Sequence, residues 1–255
     1  MERKRVMFDI SIPLRFDGPQ PNAFGAERAA ANILGDTRSG SSVNFERYAF
    51  SPHCSGTHTE CVGHITHERI SVRTCLQDAI VPAMVISLEP RSGESEAYSA
   101  MAEGDLLITA AAIQAALDRS EFDHRIVLKD GALAIRTLPN GPHKLTAEYT
   151  DEKVPAYFSN EAMDLLVGLG IKHLLVDMPS IDRLSDGGVL ANHRKFWYVA
   201  PGSTELRDDE RRGATITELI YVPEEVKDGR YLLNLQIAPF ESDAAPSRPV
   251  LLPFE

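Results

Sequence analysis

The segment Cys54-Ser55-Gly56-Thr57-His58-Thr59-Glu60-Cys61-Val62-Gly63-His64 holds a dense set of chemically active side chains. His53 and His67 flank it, so four of the chain's eight histidines fall within fifteen residues. In extended backbone, side chains of equal parity share a face. Cys54, His58, Glu60 and His64 are all even-numbered, which predicts one face carrying thiol, imidazole, carboxylate and imidazole. Gly56 shares that parity and leaves room for close approach. Such a mixture of S, N and O donors suits a borderline-soft divalent cation, and drawing ligands from one short segment lowers the ordering entropy of the site. The competing reading is an exposed histidine cluster that binds nothing. The helical motif His-Glu-x-x-His is absent, because His64-Ile65-Thr66-His67-Glu68 runs in the wrong order. His53, His67 and Cys75 are expected to be structural or solvent-facing, and the isolated His124, His143 and His173 to be surface or capping residues. Cys54 or Cys61 as nucleophile with His58 or His64 as base is an alternative enzymatic reading.

Outward from this segment, the patterning alternates between strands and helices. Strands are expected at Arg5 to Ile12, closed by Pro13, and at Ser42 to Phe50, Pro82 to Leu88, Arg125 to Leu128 and Leu133 to Thr137. Others should follow at Leu174 to Asp177, Ala214 to Tyr221 and Tyr231 to Ala238. Phe16 to Asn22 reads as loop. Helices are expected over Thr109 to Asp118, with Thr109 as N-cap, and after Ser159, where Ala162, Leu165, Leu166 and Leu169 form one stripe and Gly170 ends the run. Pro201 to Gly213 is polar and reads as a solvated excursion. Strands outnumber helices and the two are interspersed, which predicts one mixed α/β domain over residues 1–255.

The 255 residues carry 26 Lys+Arg against 37 Asp+Glu, a formal charge of -11 that disfavours nucleic acid and anionic lipid surfaces as partners. The N-terminus opens without a signal-like apolar stretch and no run of 18 apolar residues follows, so a cytoplasmic protein is expected. Three cysteines, Cys54, Cys61 and Cys75, are too few for a disulfide framework and are read as thiols.

The segment resembles the signature of the metal-dependent cyclase family, His-x-Gly-Thr-His-x-Asp-x-Pro-x-His, a family that includes bacterial kynurenine formamidase and isatin hydrolase. Four of its seven specified positions match here: Gly56, Thr57, His58 and His64. Asp9-Ile10-Ser11-Ile12-Pro13-Leu14 resembles the family's N-terminal segment, and Ser180-Ile181-Asp182 its Ser-x-Asp strand end. His193 in Asn192-His193-Arg194 is similar to the later metal histidine, and Glu218 within Ile216-Thr217-Glu218-Leu219-Ile220 to the family's carboxylate. Independently of the family, a carboxylate among Ile216, Leu219 and Ile220 is costly to bury unless paired or metal-bound.

The resemblance implies a single mixed-sheet α/β domain of the swivelling β/β/α type. It implies a homo-oligomeric, arylformamidase-like metal hydrolase acting on a small molecule. The substrate would be an aryl formamide such as N-formylkynurenine, from tryptophan catabolism, or a cyclic amide. Cys54, His58, Glu60, His193 and Glu218 would bind one or two divalent ions, zinc before manganese, with Glu60 and Glu218 able to bridge two metals. His64 would act as proton shuttle while metal-bound hydroxide attacks the carbonyl. Cys54 stands where the signature has histidine, Glu60 where it has aspartate and Val62 where it has proline. Cys54 as ligand would add negative charge and soften the metal's Lewis acidity, and His53 could supply a nitrogen instead if the strand is bulged. The longer Glu60 also allows a single ion. These departures also leave open a family member that binds metal without turnover.

Overall fold

The computed structural model describes residues 7–92, 96–206 and 211–254. Nine strands form the main sheet: β1 (Phe8–Asp9), β2 (His58–Glu60), β3 (Ile80–Leu88), β4 (Ala132–Thr137), β5 (His173–Val176), β6 (Thr215–Glu218), β7 (Gly229–Asn234), β8 (Ala244–Pro246) and β9 (Val250–Pro253). Across the sheet they run β1-β9-β7-β3-β4-β5-β6-β2-β8. The centre, β3 through β6, is parallel, and both flanks are antiparallel. The expected mixed α/β class is therefore present.

The central strands are apolar on both sides because both sides are covered. Met84, Ile86, Leu133, Ile135, Leu174 and Val176 join a core with residues of α1 (Val72–Cys75), α2 (Ala110–Leu117), α3 (His124–Leu128), α4 (Asn160–Gly168) and α5 (Ala191–Phe196). Val81, Ala83, Val85, Ala132, Ala134 and Leu175 face a second core completed by β7, β9 and the segment after β6. Local chemistry sets the helix starts: the Thr109 hydroxyl accepts the Ala112 N–H at 3.1 Å and the Ser159 hydroxyl the Ala162 N–H at 3.0 Å. Gly170, at φ +73, turns the chain out of α4 into β5.

Three local expectations fail for identifiable reasons. Arg125 to Leu128 is not a strand but part of the short helix His124–Leu128, nucleated by the Asp123 carboxylate accepting the Arg125 N–H at 3.0 Å. His173 is not at the surface; it is buried in β5, where its Nδ1 meets the Thr215 hydroxyl at 2.8 Å. The excursion after Pro201 is only partly solvated. Residues 207–210 lie outside the described residues, but the buried Arg211 places its guanidinium 4.4 Å from the centre of the Phe196 ring. The expected N-terminal strand shortens to β1, with Arg5 and Val6 outside the described residues. Phe45–Ala49, within the expected Ser42 to Phe50 strand, pairs with Ala30–Gly35 as a separate ribbon. The three cysteines are free thiols.

Candidate metal centre

β2 lies between β6 and β8, and its register decides the site. His58 stands opposite Glu218 and Glu60 opposite Ile216. Directly opposed residues of an antiparallel pair project from the same face, so two strands distant in sequence deliver one imidazole and two carboxylates to one spot. Two residues of the signature fix that register. Gly56 has φ +70, and a Cβ there would sit 3.0 Å from the Ile12 carbonyl oxygen. The Thr57 hydroxyl accepts the Ile12 N–H at 2.6 Å and donates to the Leu219 carbonyl at 2.5 Å, tying the N-terminal segment to the end of β6.

From the helix side, α5 brings in His193. Asp182 holds it: Oδ2 accepts the His193 backbone N–H at 3.1 Å and lies 2.5 Å from Nδ1, while Oδ1 accepts from Asn192 N and the Tyr98 hydroxyl. With Nδ1 committed to Asp182, Nε2 points at Glu60 Oε1, 3.0 Å away, and at Glu218 Oε1, 3.9 Å away. This is the carboxylate–histidine arrangement that orients metal ligands.

The backbone around Cys54 is not the extended strand that the parity argument assumed. Only His58–Glu60 is strand, whereas Pro52–Cys54 and Val62–His64 are tight 3-10 turns. The first turn aims His53 inward: its Nδ1 is 3.0 Å from Glu60 Oε2 and its Nε2 2.9 Å from Asp243 Oδ2. His53, expected to be structural or solvent-facing, thus joins two groups of donors within ligating distance of one another, one with His58 and Glu60 and one with His64 and Asp243; a third comprises Glu60, His64 and His193. Cys54 belongs to none of them. Asp243 went unrecognised in the sequence because it stands alone between Ser242 and Ala244, far from the histidine segment. His67, by contrast, is exposed.

The electrostatics follow from the crowding. Burial alone would raise the pKa of Glu60, but His64, His193 and His53 outweigh it and hold the carboxyl well below the usual range. Glu218 is pushed up by burial and by the charge of Glu60. Burial opposes the charged form of His193, yet its bonds to Asp182 and Glu60 raise its pKa well above the ordinary value. His53 rises to about 10 in the same way, through Asp243 and Glu60 against burial.

Of the buried side-chain atoms without a hydrogen-bond partner among the described residues, two lie in this cluster, His58 Nε2 and Glu218 Oε1. His58 Nε2 is 3.4 Å from Glu218 Oε2 without hydrogen-bond geometry, and its Nδ1 is oriented by the Gly56 carbonyl at 3.2 Å. Leaving such groups unmet costs on the order of 1–3 kcal/mol each. A divalent cation satisfies both, and the nitrogen and carboxylate donors around them suit one.

The thiols fit a nucleophile poorly. Cys61 is fully buried, donates to the Ile70 carbonyl at 3.3 Å, and has its pKa raised by contact with the Cys75 thiol and by burial. Cys54 is raised by burial and by Glu218. Both effects suppress the reactive thiolate.

A family model described as "Putative cyclase" matches residues 8–183, taking in His58, Glu60, His64 and Asp182 and stopping short of His193, Glu218 and Asp243. Among solved structures, the chain is similar to an isatin hydrolase bound to the product analogue thioisatinate, with 16% identity, 98% of this chain and 92% of that one covered, and a TM-score of 0.67. It is similar to isatin hydrolase A from Ralstonia solanacearum at 15% identity, 97% and 91% coverage and a TM-score of 0.66. A predicted metal-dependent hydrolase from Bacillus stearothermophilus shares 16% identity over 98% of each chain, with a TM-score of 0.62. These likenesses show the fold. No curated protein sequence matches the chain.

Proposed function

The chain belongs to the cyclase family, and on that premise we propose that it is a metal-dependent hydrolase of amide-type C–N bonds, with an aryl formamide such as N-formylkynurenine or a cyclic amide as substrate. The observation that carries this reading is the meeting of His58, Glu218, Glu60 and His193 around the unmet His58 Nε2 and Glu218 Oε1. The isatin hydrolases among its structural neighbours support the cyclic-amide side of the substrate class.

His58 through Nε2, His193 through Nε2, Glu218 and Glu60 would hold the ion, zinc before manganese. When bound, a divalent cation lowers the pKa of a coordinated water to about 7 and polarises a carbonyl. Glu60 faces His193 with one oxygen and His53 and His64 with the other, so it suits one ion or a bridge between two. With the ion bound, Asp182 accepting at Nδ1 would leave the His193 Nε2 lone pair turned to it. His64, the most exposed of the converging histidines, would take a proton from the attacking water and return it to the leaving nitrogen. The buried Trp197 ring lies 5.5 Å from the His193 ring and adds to its burial.

Elemental analysis of untagged protein purified without added metal, combined with assays on aryl formamides, lactams and cyclic imides, tests the reading. Stoichiometric metal, loss of turnover with chelator, and turnover lost but metal kept in His64→Ala are expected. Metal-free protein with full turnover that iodoacetamide destroys would establish the thiol enzyme instead. Metal-loaded protein inert on the whole panel would establish a binding protein.

Self-association belongs to the same proposal. The Ala30–Gly35/Phe45–Ala49 ribbon exposes Ile33, Leu34, Phe45 and Tyr48, an apolar surface that a second copy could cover. Light scattering of the purified protein reads the assembly directly. Among the described residues no helix is long and apolar enough to cross a membrane.

A further inference from the structure

We infer that Asp243 is a positioning residue that locks His64 in the tautomer protonated on Nδ1, leaving Nε2 as the proton acceptor. This rests on the hydrolase reading and adds to it a residue that neither the signature nor the family match contains.

Asp243 enters at the start of β8, where the backbone allows it little freedom. Its carbonyl accepts the Cys61 N–H at 3.0 Å, the carbonyl of Ser242 accepts the Val72 N–H at 2.8 Å, and Ala244 pairs with Glu60. Both ends of the 61–72 loop that carries His64 are thus tied to the residues around Asp243. The carboxylate is placed relative to the imidazole by main-chain bonds, not by a flexible stem.

The side-chain geometry completes the device. Asp243 Oδ2 is 3.3 Å from His64 Nδ1 and 2.9 Å from His53 Nε2, and Oδ1 accepts from the Ser242 hydroxyl at 3.1 Å. An ionised carboxylate only accepts, so the ring nitrogens facing it carry hydrogen. The His53 ring lies against that of His64, centroids 4.2 Å apart and planes tilted by 30°, which limits rotation of the imidazole. His64 Nε2 is left 3.9 Å from Glu60 Oε2, beyond hydrogen-bond reach and available to a proton. An aspartate that fixes a histidine's tautomer and orientation without itself taking the proton is the working principle of Ser-His-Asp triads.

The test is nitrogen-15 NMR of the His64 imidazole in zinc-loaded wild-type protein, together with steady-state kinetics of Asp243→Asn and Asp243→Glu. Wild-type His64 should be the Nδ1–H form. Asp243→Asn should lose roughly 10- to 100-fold in kcat with KM and metal content little changed, and Asp243→Glu should recover part of the loss. An Nε2–H tautomer in the wild type, or unchanged kcat in Asp243→Asn, overturns the inference. So does a zinc ion that binds His53, His64 and Asp243 in the wild type and is lost in Asp243→Asn. The wild-type spectrum decides the matter even if the variants fail to fold. Full turnover in His64→Ala, by contrast, removes the shuttle role in the proposed function itself.

Discussion

His173 and His193 are both buried histidines held by hydroxyl or carboxylate partners, and they sit at opposite ends of the same group of strands. His173 opens β5 beside Thr215, the first residue of β6, whereas His193 meets Glu218, the last residue of β6. Burial and the nearby Lys172 push the His173 pKa down to about 4, against a weaker pull from Asp78. The cation is already supplied there, because Lys172 pairs with Asp78. Around His193 the carboxylates of Asp182, Glu60 and Glu218 converge with no lysine or arginine paired to any of them among the described residues. The lesson is that burial of a histidine says little about its role, and the sign of the charge left over around it says much.

The contrast breaks most visibly where the leftover charge is greatest. Replacing His58 by Ala or Glu218 by Gln should abolish metal loading and cut turnover by roughly a thousandfold or more, read by elemental analysis and kcat/KM. Retained stoichiometric metal in both variants would mean that the two unmet atoms do not ligate. Asp182→Asn acts at one remove. His193 would lose the acceptor that orients it, and metal affinity should fall roughly 10- to 100-fold in a competition titration with a chromophoric chelator. Unaltered affinity would reduce Asp182 to a structural partner of Tyr98 and Asn192.

The smallest effect is expected at the other end. His173 titrates at about 4 in the folded chain and near 6.5 when unfolded, so between those values the unfolded state binds more protons. Its contribution to stability is therefore fully present above pH 6.5 and is lost as pH falls toward 4, amounting to about 3 kcal/mol. Urea unfolding at pH 7 and pH 4.5 should show a smaller loss in His173→Gln than in wild type. An identical loss in both proteins would remove His173 from the acid response.

Much of this molecule could be read before folding was considered. Thr109 and Ser159 cap the helices that their positions announce, because capping needs only a side-chain oxygen three residues before an unmet N–H. The runs in β3, β4 and β5 read correctly because a strand covered on both faces is apolar at every position. Arg125 to Leu128 misread for the same reason in reverse: Ile126 and Val127 favour a strand, but a single side-chain bond from Asp123 suffices for one helical turn. His58, Glu60 and His64 stood out through their spacing, Glu218 through its apolar neighbours and its likeness to a family pattern, and His193 through that likeness alone.

What the sequence determined alone was the central strands, the two longer helices and one dense group of donors, since periodicity, capping and short-range spacing are local. Tertiary structure decided which donors meet. A 3-10 turn at Pro52 substituted His53 for Cys54 in the donor groups, and a strand entering from the far end of the chain put Asp243 against two imidazoles. Such choices depend on registers between strands many residues apart, and no local pattern encodes the face on which a distant carboxylate will arrive.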